Sequence, residues 1–185
     1  MFGKDKHLRY LCEDETRLGL HTITGRLLTL KGVKPHGITQ WQRDNFYLYG
    51  VVEPVTGDSY FYEYSHLDSC CFQLFLNQVS QRFADSVVIL QMDRGRFHLS
   101  SQLDWPENLI PICQPAHCPE LNPIERLWEY IKAQLRWENC HSLDELRHQV
   151  YSILAQITPT VIASLTSWDF IITAISGCSS AIGNC

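Results

Sequence analysis

Ser86-Val87-Val88-Ile89-Leu90-Gln91-Met92-Asp93 is the stretch on which the fold turns. A nearly continuous apolar run of this length reads as a strand buried on both faces, the kind found inside a mixed sheet covered by helices. The run stops at Asp93, a carboxylate that is costly to bury unless it is paired or coordinated.

Downstream, Leu109 to Cys113 reads as another strand. Asn122-Pro123-Ile124-Glu125 opens a helix, with an Asn cap, Pro in the first turn and Glu at the third position. Its apolar stripe is Ile124, Leu127, Trp128, Ile131 and Leu135. Ser142-Leu143-Asp144-Glu145 is a capping box for a further helix, with Leu143, Leu146, Val150, Ile153, Leu154 and Ile157 on one side. Upstream, Phe72, Phe75, Leu76, Val79 and Phe83 mark an amphipathic helix that Asp68 or Ser69 can cap. Before it, Asn45 to Val52 and Ser59 to Tyr64 are strand-like, with Pro54 to Asp58 as the loop of a hairpin. Leu8 to Asp14 alternates as a strand that ends at Asp14, with Leu8, Tyr10, Cys12 and Asp14 on one face. Leu27 to Leu30 is read as one more strand. This order predicts an α/β fold, a central mixed sheet flanked by helices.

The chain has 185 residues, 45% of them hydrophobic and 19% charged, which suits one domain with a real core and excludes a disordered or collagen-like chain. Fifteen Lys+Arg against twenty Asp+Glu give a net charge of −5, so any grip on nucleic acid must be local or supplied by a partner. The eight cysteines include no C-x-x-C pair. With no apolar run at the start to act as a secretory signal, they read as reduced core residues of a cytoplasmic protein. From Gln149 to Cys185 the sole charged side chain is Asp169, yet Pro159, Gly177 and many Ser, Thr and Gln favour packed helices over a membrane span. Residues 176–185 read as a frayed tail.

Three acids fall where strands end or a helix begins: Asp14, Asp93 and Glu125. Phosphodiester cleavage needs hard cations held by a few carboxylates, and two such ions can activate the attacking oxygen and neutralise the leaving one. Carboxylates gathered from distant rigid elements suit that work. Each acid also has a structural alternative. Glu125 can be the capping-box glutamate of its helix, Asp14 a solvated strand end, and Asp93 a paired strand terminus.

The block from Cys113 to Trp128, with Pro119-Glu120-Leu121-Asn122-Pro123-Ile124-Glu125 at its heart, resembles the segment that carries the third acid in DDE-type transposases of the mariner-related bacterial insertion-sequence family. Asp93-Arg94-Gly95-Arg96-Phe97-His98 is similar to that family's Asp-Asn-x-x-x-His. Glu13-Asp14-Glu15-Thr16-Arg17-Leu18-Gly19-Leu20 resembles its first-Asp segment. The resemblance covers about residues 8–175 and implies a ribonuclease H-like catalytic domain over residues 1–175. It implies that Asp14, Asp93 and Glu125 ligate two Mg²⁺ or Mn²⁺ ions, for DNA cleavage at transposon ends and strand transfer to target DNA. His98 matches the family histidine, expected to orient Asp93 or touch a phosphate, or else to be a partly exposed turn residue. Arg94 replaces the family Asn and cannot ligate a cation; it can hold a DNA phosphate or mark decay. Cys113, His117 and Cys118 lack a fourth partner for zinc.

Residues 16–43 hold Arg17, Arg26, Lys31, Lys34 and Arg43 and no acid. With Arg94 these are the candidate DNA-binding residues, since substrate must reach the acids over some positive surface. Asp14 lies so near Met1 that the family's helix-turn-helix module is expected to be missing. The chain then resembles the downstream half of a split gene, assembling with an upstream helix-turn-helix half or as a homodimer. Two rivals stand beside this reading: another ribonuclease H-like nuclease, and a decayed fragment that acts at most as a dimerisation or inhibitory partner.

Overall fold

The structure, a computed structural model, describes residues 6–116, 118–173 and 175. Strands β1 (His7–Gly19), β2 (Asn45–Val52), β3 (Ser59–Tyr64), β4 (Ser86–Met92) and β5 (Leu109–Cys113) form one mixed sheet in the order β3-β2-β1-β4-β5. The first three strands are antiparallel neighbours, while β1, β4 and β5 run parallel. Helix α1 (Ser69–Arg82) connects β3 to β4, and α2 (Ile124–Gln134), α3 (Leu143–Gln156) and α4 (Pro159–Thr166) follow β5. The expected central mixed sheet with flanking helices is what the chain forms.

Two apolar layers sandwich the sheet. Phe72, Phe75, Leu76 and Val79 of α1 pack on Leu11, Tyr49, Val51, Val88, Leu90 and Met92. On the other face, Ile124, Leu127, Trp128 and Ile131 of α2 pack on Cys12, Leu18, Phe46, Leu48 and Val52, with Leu146, Val150 and Ile162 behind them. β4 lies between β1 and β5, and all of its residues but Ile89 are buried.

Several local expectations are corrected. β1 does not end at Asp14 but runs on to Gly19. Its first half pairs with β4 as far as Cys12↔Gln91, and its second half pairs with β2 from Cys12↔Val52 to Gly19↔Asn45. Leu27 to Leu30 is not a strand. Because β1 and β2 pair directly, that segment has no partner, and Leu28 and Leu30 are exposed. Asn122 does not cap α2 with its side chain; its Nδ2 donates to the Glu13 carbonyl at 2.8 Å. Of the described cysteines, all free, Cys12 and Cys140 are buried, whereas Cys70 is exposed and Cys71, Cys113 and Cys118 are half-buried. Cys178, Cys185 and the tail 176–185 lie outside the described residues. No helix among the described residues is long and apolar enough to cross a membrane; Pro159 starts a new helix instead.

Candidate active site

Strand register brings the first two acids together. β1 and β4 are in parallel register at Cys12↔Gln91, so Asp14 and Asp93, each two residues on, lie side by side where β4 stops. The third acid arrives on α2, whose first turn is tied to β1 by the Asn122 hydrogen bond to Glu13. Asp14, Asp93 and Glu125 thereby line one cleft of about 260 Å³, together with Arg94, Gly95, Gln114, Cys118 and Asn122. Glu125 makes no capping contact, so its capping-box alternative is not realised.

The cleft is short of positive charge. Burial pushes the Asp14 carboxyl well above the usual range, and the charges of Glu125 and Glu15 add to this. Burial also raises Glu125, against the opposing pull of Lys132. Asp93 is held low by its hydrogen bond from His98. Trp128 Nε1 donates to Asp14 Oδ2 at 2.9 Å. Two carboxyls raised by burial and crowding beside an ionised third form a hard-oxygen donor set that fits Mg²⁺ or Mn²⁺.

A second constellation lies on the α1 side. His98 is buried, packed on the rings of Phe72 and Phe97 at 4.4 and 4.1 Å. Its Nδ1 is 2.6 Å from Asp93 Oδ1, and its Nε2 is 3.1 Å from Glu15 Oε1 and 3.6 Å from Glu13 Oε2. Both ring nitrogens face carboxylates, an arrangement that suits the doubly protonated ring. Burial works against that charge, but Glu13 and the hydrogen bonds to Asp93 and Glu15 prevail, and the pKa is pushed up to about 11. Burial raises Glu13, with Glu15 adding to it, and among the described residues neither Glu13 oxygen has a hydrogen-bond partner. His98 is therefore no exposed turn residue, and it is too enclosed to touch a phosphate. Among the described residues, Glu13, Glu15 and His98 are the trio whose ligating atoms lie within 4.8 Å of one another; the three cleft acids do not all meet that limit. Reading the sequence missed Glu13, Glu15 and Trp128 at this site. The sole hint was that β1 alternation puts Glu13 and Glu15 on one face.

The basic residues divide. Arg17 and Arg43 meet in a cleft of about 500 Å³ with His21 and Lys132, and Asp44 also lines it. Lys132 lies two turns along α2 from Glu125. Among the described residues, Arg17, Arg43 and Lys132 enter no ion pair. Arg26, Lys31 and Lys34 are exposed on the irregular segment between β1 and β2 and are not part of that cleft. Arg94 is exposed and lines the acidic cleft. His117 lies outside the described residues.

The model of a family described as DDE superfamily endonuclease matches residues 9–147. An uncharacterized protein, y4pE/y4sA of Sinorhizobium fredii (strain NBRC 101917 / NGR234), is 26% identical over 87 residues, 46% of this chain and 64% of that protein. Among solved structures, a pre-cleavage Mos1 transpososome superposes with a TM-score of 0.71 at 15% identity, over 85% of this chain and 52% of the Mos1 chain. The Mos1 mariner paired end complex with Mn gives 0.63 at 15% identity, over 85% and 51%. The likeness to Mos1 is one of fold, and the ribonuclease H-like arrangement expected of the sequence holds. The chain spans about half the length of the Mos1 chains.

Proposed function

The chain belongs to the DDE superfamily endonuclease family, and from that premise we propose that it is the catalytic domain of a transposase that cleaves DNA at transposon ends and transfers the freed strand to target DNA. The observation that carries this reading is the shared cleft of Asp14, Asp93 and Glu125, two of them raised by burial and crowding. In our reading these carboxylates hold two Mg²⁺ or Mn²⁺ ions. When bound, such ions supply an activated attacking oxygen and charge for the leaving one.

The remaining work falls to the protein's own residues. His98 orients Asp93, and Arg94 holds a phosphate at the cleft, the role left to it by a side chain that only donates. Arg17 and Arg43, joined by Lys132, grip the backbone beyond the cleft. Arg26, Lys31 and Lys34 add looser contacts from the β1–β2 segment. A positive track beside an acidic pocket supports this on a chain whose net charge is −5, because phosphate contacts position nucleic acid without reading it. The protein partner is then a second copy of this chain, or an upstream helix-turn-helix half that reads the transposon ends. The free cysteines support a cytoplasmic setting. The non-catalytic fragment finds no support in a cleft that keeps all three acids.

Mn²⁺ titration followed by thermal unfolding tests the site. The wild type is expected to gain about 2.7 kcal/mol at a metal concentration 100 times Kd, and Asp93→Ala to lose the gain. Equal responses from both would put the metal elsewhere. Nicking of repeat-ended DNA, with the upstream half supplied, must then depend on Asp14, Asp93 and Glu125.

A further inference from the structure

Resting on that reading of the acidic cleft and of His98 as the residue that orients Asp93, we infer that Trp128 does the same for Asp14, so that each cation-binding aspartate has one oxygen taken, from opposite faces of the sheet, and its other oxygen aimed at the ions. From the α2 face, Trp128 Nε1 donates to Asp14 Oδ2 at 2.9 Å. From the α1 face, His98 Nδ1 lies 2.6 Å from Asp93 Oδ1, which also accepts from the Gly95 N–H at 2.6 Å. Asp93 Oδ2 is left for a ligand.

Both donors are themselves fixed. Trp128 is fully buried, edge-on to Phe61. It occupies room that exists because residue 50 is glycine: a Cβ there would stand 2.6 Å from the indole Cη2. His98 is wedged between Phe72 and Phe97, and its far nitrogen faces Glu15 and Glu13. Among the described residues neither Glu13 oxygen has a hydrogen-bond partner, and its buried carboxyl faces the ring at 3.6 Å. A chain of contacts thus runs from Glu13 and Glu15 through His98 to Asp93. Outer partners of this kind fix the orientation of a ligating carboxylate, and their loss typically weakens metal binding about 10–100-fold.

The test measures Mn²⁺ binding to the whole chain by calorimetry, beside thermal unfolding of the metal-free protein. Trp128→Phe keeps an aromatic ring and removes the donor; its Mn²⁺ affinity should fall about 10–100-fold, well beyond any effect on metal-free stability. His98→Asn, which keeps a donor near the Nδ1 position, should retain more affinity than His98→Leu. Wild-type affinity in Trp128→Phe and His98→Leu, with binding lost in Asp14→Asn and Asp93→Asn, overturns the positioning role and leaves the cleft assignment standing. Unchanged binding in the two aspartate variants overturns both. Should Trp128→Phe not fold, the wild-type indole N–H resonance of Trp128 decides. It must shift on adding Mg²⁺, with Trp41 and Trp168 as references, and a stationary signal under saturating Mg²⁺ sinks the inference.

Discussion

Asp14 and Gly50 are direct partners across the β1–β2 ladder, and the absent side chain of one makes room for the group that holds the other. The Trp128 indole lies over Gly50 and reaches Asp14 Oδ2. Gly50→Ala would place a methyl 2.6 Å from Trp128 Cη2 and 2.8 Å from Phe61 Cδ1, both buried or packed against core. Overpacking of this kind costs about 1–3 kcal/mol. A lower urea midpoint with an unchanged slope is expected, together with weaker metal protection, because the indole cannot stay where it is.

Glu125→Gln separates stability from function. Burial and neighbouring acids hold the Glu125 pKa above its usual value, so the folded state binds that proton more tightly than the unfolded one. The contribution to stability is present below the unfolded value of about 4.5 and lost as pH rises through the raised folded value. At pH 7 without metal, the neutral amide should therefore stabilise the fold. The group is half-exposed, so roughly 0.5–1 kcal/mol is expected, with a melting shift of about 2–4 °C per kcal/mol. The same variant should lose protection by Mn²⁺. A melting curve that falls without metal would contradict the crowding argument.

The basic cleft makes a prediction in salt rather than in chemistry. Arg17, Arg43 and Lys132 share one cleft outside the acid pocket. If each grips a duplex phosphate, each alanine variant should lower the slope of log K against log salt by about 0.9. The loss of affinity should be alike for different DNA sequences. Lys31→Ala and Lys34→Ala, on the exposed segment, should change the slope less. Electrophoretic mobility shifts across a salt series would read this directly.

Most of the sheet was legible because its strands have partners that impose a pattern. The run at β4 reads as buried because α1 covers Val88, Leu90 and Met92 while Val87 and Gln91 on the other side are buried as well, and the aromatic alternation of β2 and β3 follows from hairpin pairing. Failures came where distant contacts override local chemistry. Glu13-Asp14-Glu15 looks like a solvated strand end, yet Glu13 is fully buried because His98, far along the chain, covers it. Asn122 has the residue type of a helix cap, but its side chain ties α2 to β1. Leu27 to Leu30 has strand composition but pairs with no strand, since β1 and β2 pair directly with each other. Periodicity located the three acids' elements; the donors that orient them come from tertiary packing that no spacing rule encodes.

The start of α1 offers a control outside the cleft of the three acids. Asp68 Oδ1 accepts the Cys71 N–H at 2.8 Å, and hydrogen bonds from the backbone of Cys71, with its helix start, hold the carboxyl below its usual 3.8. A lowered folded pKa means that the stabilisation is present above the unfolded value and lost as pH falls through the folded one. Asp68→Ala should cost about 1 kcal/mol at pH 7. That gap should close once pH drops below the folded pKa, where the wild-type cap is protonated as well. Denaturation midpoints of both proteins from pH 7 to pH 2.5 would show it, with no dependence on Mn²⁺. A gap that persists at the acid end would mean that α1 gains from Asp68 by packing rather than by the ionised cap.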